Sequence, residues 1–125
     1  MRWIAVLALC VLADAQADPR SHYLIHCMGC HLMDGSGNPP DVPAFGPTLN
    51  VLAGTDDGRA YLVQVPGAAQ SPISDAALAD VINWMVGEFG EGRAFAPFAE
   101  KEVAHYRRDI LADPVAARAR ILAQP

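Results

Sequence analysis

Three features of this 125-residue sequence predict an all-α fold. Apolar residues recur at i, i+3, i+4 and i+7 in several stretches, which is the helical period and not the alternation of a half-buried strand. The clearest of these stretches open on Asp-Pro or Ser-Asp pairs suited to helix N-termini. The segments between them are rich in turn residues, drawing on ten glycines and ten prolines, and no strand-rich βαβ pattern is present.

Taken in order, Arg2, the apolar run Trp3 to Ala13 and the small-residue pattern Ala15-Gln16-Ala17 read as a secretory signal peptide over residues 1–17. The run is shorter than the roughly 20 apolar residues of a membrane span. Cys10 follows Leu9, where a lipoprotein cleavage site needs a small residue, so a soluble, exported chain starting at Asp18 is expected. Asp18-Pro19 then caps a first helix on which Leu24, Cys27, Met28 and His31 share a face. From Asp34 to Gly58, turn signals surround a small apolar patch, Phe45 to Leu52, which reads as loop wrapping a ligand edge. Arg59 to Val65 is a short helical piece stopped by Pro66-Gly67. Ser74 caps the strongest helix, with Leu78, Val81, Ile82, Met85, Val86 and Phe89 on one stripe and Gly90 closing it. Beyond it, Glu100 to Ala112 is helical, and Asp113-Pro114 restarts a helix through Val115, Ala119 and Leu122. The organisation expected is a domain over 18–92 followed by a helical extension over 93–125.

Composition narrows the function. With 18% charged residues the chain is no disordered acidic tail. Although 52% of residues are hydrophobic, 22 of them are alanine, and residues 18–125 offer only 32 sizeable apolar side chains besides their cysteines. That is a thin core, and something else is expected to complete it. The net charge of −5 is unevenly spread: residues 18–92 carry −7 and residues 93–125 carry +2. On charge alone the chain is expected not to seek nucleic acid or anionic membrane, and a protein with a positive docking patch is the simpler expectation.

The chemistry concentrates in Cys27-Met28-Gly29-Cys30-His31. On a helical turn, residues i and i+3 lie on one face, so two thiols reach the two vinyl groups along one porphyrin edge, and the following imidazole is carried beneath the ring to meet iron. The alternatives are a dithiol redox pair, which normally opens a helix after a strand, and a structural zinc site. Zinc would need His22, His26, His31 or His105 to complete a two-cysteine set, and their spacing supplies no second ligand pair. One covalent haem c is expected, with Cys27 and Cys30 as thioether donors and His31 as proximal ligand.

That turn, together with Asp34-Gly35-Ser36-Gly37, Phe45-Gly46-Pro47-Thr48-Leu49 and the Ser74 to Phe89 helix containing Asn83-Trp84, resembles the class I c-type cytochromes over about residues 19–90. The resemblance implies a cytochrome c-like fold: three to four core helices around one covalent haem, here with one or two extra C-terminal helices. It implies that the Pro47 carbonyl holds the proximal histidine and that Trp84 packs on the first helix. It also implies a periplasmic carrier of single electrons, not an enzyme, serving an exported dehydrogenase or a respiratory-chain component. The family usually takes its sixth iron ligand from a methionine just before the last core helix, and residues 61–74 contain none. Met28 and Met33 are tied to the proximal side, His22 and His26 share its helix, and His105 lies in the extension; Met85 is the best remaining candidate. The missing loop methionine keeps a second class open, a haem enzyme or gas-binding protein with a labile sixth position.

Overall fold

Asp18 starts the first helix as its sequence suggests: its carboxylate accepts the Ser21 amide at 3.1 Å, and Pro19 fills the first turn, where no amide partner is needed. The computed structural model describes residues 17–124, so the leader expected over 1–17 lies, apart from Ala17, outside the described residues. Within them the chain is helical and contains no strand, only an isolated bridge between Asn38 and Val42.

The single helix expected to carry the cysteine motif is two helices, α1 (Pro19–His26) and α2 (Met28–His31). Cys27 separates them with φ −121° and ψ −32°. Its amide closes α1 on the Tyr23 carbonyl at 2.9 Å, while the Cys30 and His31 amides both turn back onto the Cys27 carbonyl at 3.1 Å. The stretch read as loop from Phe45 to Leu52 also needs correction, because Pro47–Ala53 forms α3. Pro47 is a good first helical residue, and Leu49, Leu52 and Ala53 at i, i+3 and i+4 are all buried. Thr55 caps α4 (Asp56–Gln64) by accepting the Gly58 amide at 3.1 Å. Pro66-Gly67 does stop α4, but Pro66 also opens a further turn, α5 (Pro66–Ala69).

Ser74 and Gly90 bound α6 (Asp75–Phe89) where expected. In the extension, α7 (Glu100–Tyr106) ends six residues before the Ala112 limit read from the sequence, and α8 (Pro114–Leu122) starts on the Asp113 cap. α7 stops early because the chain is drawn aside: the Leu111 amide bonds to the Gln64 carbonyl of α4 at 3.0 Å.

One apolar cluster joins α3, α4 and α6 to the extension, whose Phe98, Val103, Ala117 and Ile121 are buried in it. Gly58 permits a close backbone approach, since a Cβ there would lie 2.2 Å from the Leu52 carbonyl oxygen. Polar side chains then tie the extension down. Asn83 of α6 accepts the Phe98 amide at 2.7 Å and donates to the Phe98 carbonyl at 3.0 Å, pairing a buried backbone as a strand would. Arg107 donates to the carbonyls of Ala69, Ser71 and Ile73 and to the Asp75 carboxylate, fixing the segment that leads into α6. Asn83→Ala leaves both Phe98 backbone groups without partners, and each unsatisfied group costs about 1–3 kcal/mol. The expected loss is about 2 kcal/mol, measured as a lower urea midpoint with an unchanged slope.

Candidate functional site

The site is built from α1 and α2, which are held by an aromatic cluster. Tyr23 is fully buried, with ring centroids 5.2 Å from Trp84 and 5.5 Å from Phe89. Trp84 thus packs on the first helix as the resemblance implies. The Tyr23 hydroxyl donates to the Leu32 carbonyl at 2.5 Å and approaches the His31 carbonyl at 3.4 Å, so it fastens the end of α2 from below. Burial, with a smaller contribution from the neighbouring Cys27, pushes the Tyr23 pKa up to about 12, which keeps this donor protonated.

So fixed, the Cys27–His31 turn presents Cys27, Cys30 and His31 to one cavity of about 320 Å³. The volume falls in the range of roughly 300–1,000 Å³ typical of small-molecule sites. Its walls are mainly apolar: Leu49 and Leu52 from α3, Leu62 from α4, and Leu78, Val81, Ile82, Met85 and Val86 from α6. Exposed Cys30, Ala44 and Gly67 mark where it meets solvent. Both cysteines are free thiols. Burial, and secondarily the Cys30 neighbour, raises the Cys27 pKa above the ordinary thiol value. The two thiols can hold a prosthetic group covalently, and His31 can ligate its metal.

The His31 ring stacks on Phe45 with centroids 4.1 Å apart and planes 16° from parallel. Its Nδ1 is buried without a hydrogen-bond partner. Burial lowers the pKa of this histidine, and the neighbouring Pro43 backbone acts, more weakly, in the opposite direction. Pro43 lines the cavity beside the imidazole, while Pro47, expected to hold it, heads α3 and is not among the lining residues.

Among the methionines of the described residues, Met85 alone lines the cavity; Met33 is exposed and Met28 faces elsewhere on α2. His26 also lines it, stacked 5.9 Å from His22, whose own Nδ1 is buried and unpartnered. His105 is exposed on α7 against Tyr106, away from the cavity. The described residues gather no group of three or more His, Cys, Asp or Glu side chains suited to a metal ion.

The sequence reading did not place Tyr61 or Arg118 in the site. Both line this cavity and a second one of about 420 Å³, which opens between Pro39-Pro40 and α8. Helical spacing along α8 shows only that Arg118 follows buried Ala117; its cavity-side position depends on packing against α3 and α4. No protein-family model matches the chain, and no curated protein or solved structure matches it either.

Proposed function

We propose that this chain is an exported monohaem c-type cytochrome that carries single electrons and is not an enzyme by itself. The observation that carries the reading is the Cys27-Met28-Gly29-Cys30-His31 turn on the wall of an apolar cavity. The residues present fit a haem on three counts: two free thiols one helical turn apart, a half-buried imidazole kept weakly basic, and an aliphatic wall with no charged group on α3 or α6. A bound haem would supply an iron that alternates between ferric and ferrous states.

The chain's own residues do the rest. Cys27 and Cys30 would hold the group through thioethers, and adding each sulfur and its hydrogen across one vinyl group would need no oxidant and release no leaving group. His31 would hold the iron of that group through a neutral ring, the form that burial favours. Met85, on the wall of the same cavity, would be the candidate for a second residue holding the iron. Leu78, Val81, Ile82 and Val86 line the cavity with aliphatic side chains that would exclude water from a bound group and keep solvent reorganisation during electron transfer small. No helix among the described residues is long and apolar enough to cross a membrane. Export to the periplasm rests on residues 1–17, and the −7 charge of residues 18–92 suits a donor or acceptor with a basic docking face, such as an exported dehydrogenase or a respiratory-chain component.

Met85 is half-buried on the α6 stripe, and a packing role there favours the second reading, a haem protein with an open sixth position. Optical spectra separate the two. Electron transfer with Met85 ligation requires a low-spin ferrous spectrum unmoved by carbon monoxide and a high-spin spectrum after Met85→Ala. Rapid carbon monoxide binding by the unsubstituted protein rejects that ligation and supports gas binding or catalysis.

A further inference from the structure

We infer that the C-terminal segment is part of the site itself, with Arg118 of α8 serving as the cation that receives a carboxylate of the group held in the cavity. This rests on the haem reading, since a haem carries two carboxylates on its side chains. Arg118 lies 28 residues beyond the region of family resemblance, in the segment 93–125 whose role the sequence left open.

Four observations lead there. Arg118 is the one Lys or Arg side chain on either cavity wall among the described residues. It is half-buried, so its charge is incompletely hydrated and gains from an anionic partner. Of its five N–H donors, the described residues engage one, which reaches the Thr48 hydroxyl at 3.0 Å. The carboxylate on the same walls, that of Asp41, is exposed and forms no ion pair with it. The contrast with the other two arginines that join extension and core is informative: Arg59 and Arg107 each hold a carboxylate of their own, Glu102 and Asp75. Tyr61 borders the same two cavities, and the Arg118 charge acts against the burial that raises its pKa, so the guanidinium field reaches across this wall.

The test uses the full haem-loaded chain with Arg118→Gln and Arg118→Lys. Gln keeps a donor for Thr48 and removes the charge. An unpaired carboxylate near the iron favours the ferric state, so the ferric-to-ferrous equilibrium constant is expected to shift roughly threefold toward ferric in the Gln variant. The Lys variant should keep most of the original midpoint potential. A merely structural arginine would change the thermal midpoint of both variants and leave both potentials in place. An unmoved potential in the Gln variant, or an equal shift in the Lys variant, overturns the inference while the haem reading stands. Absence of covalent haem from the unsubstituted chain, seen on a peroxidase-stained denaturing gel, overturns both.

Discussion

Replacing Cys27 and Cys30 together by serine is expected to yield a chain with no covalent haem and no cooperative thermal transition. The physical reason is the size of the cavity against the size of the core. An apolar cavity costs about 24 cal/mol per Å³ when its walls do not collapse, so 320 Å³ left without a macrocycle corresponds to about 8 kcal/mol. A domain of this length has a total stability of roughly 5–15 kcal/mol. Water entering at the exposed rim near Cys30 and Gly67 reduces that penalty, but the remaining walls, Leu49, Leu52, Leu78, Val81, Ile82 and Val86, are the same residues that form the interior of the fold. Emptying the cavity therefore strikes the core and not a peripheral pocket. Circular dichroism of the exported double variant should show a broad, weak melt, and a denaturing gel stained for peroxidase activity should show no band. A compact double variant with a sharp transition would count against the idea that haem completes the interior.

The second large effect is expected at Arg59. Its side chain is 11% exposed and that of its partner Glu102 is 23% exposed, with the two joined by bonds of 2.5 and 2.6 Å. The same guanidinium donates to the Ala53 and Ala96 carbonyls and lies 3.8 Å above the Phe98 ring. Removing one member of a buried, hydrogen-bonded pair costs about 3–5 kcal/mol because the other charge stays behind without compensation. Arg59→Ala is expected near the lower end, about 3 kcal/mol, because Glu102 reaches some solvent. At about 4–8 °C per kcal/mol for a domain of this size, the melting midpoint falls by roughly 12–24 °C. Adding Glu102→Gln should recover part of the loss by removing the stranded charge, a coupling that a double-mutant cycle reads directly. A loss below about 1 kcal/mol, the level of an exposed ion pair, would show that the pair is solvated in solution.

The sequence made the helices with strong local signals legible. Asp18-Pro19, Ser74 and Asp113-Pro114 cap α1, α6 and α8, because a cap is a short-range interaction between residues three apart. α3 was missed because Gly46-Pro47 between turn-rich segments looks like further loop, and only burial against α6 distinguishes it as helix. The break at Cys27 and the early end of α7 were equally invisible. The first depends on two amides sharing one carbonyl, and the second on a bond from Leu111 to Gln64, 47 positions away. In the site, the chain-local triad Cys27, Cys30 and His31 could be read directly, whereas Pro43, Tyr61 and Arg118 reach the cavity through tertiary packing. Met85 satisfied the spacing for a core residue and also lines the cavity, so spacing alone could not assign it.

The placement of the cavity walls also has a consequence for the order of assembly. The Cys27–His31 turn lies near the start of the described chain, while α8, which brings Arg118 against Thr48 across 70 positions, is close to its end. A chain leaving a translocation channel N-terminus first presents Cys27 and Cys30 before α6 and α8 have emerged. On the haem reading, both thioether bonds can then be made on an open segment, at a time when neither thiol faces an enclosed pocket. On the same reading the later helices would close over a group already tethered, and the contact between Thr48 and Arg118, with the longest loop to close, would form late.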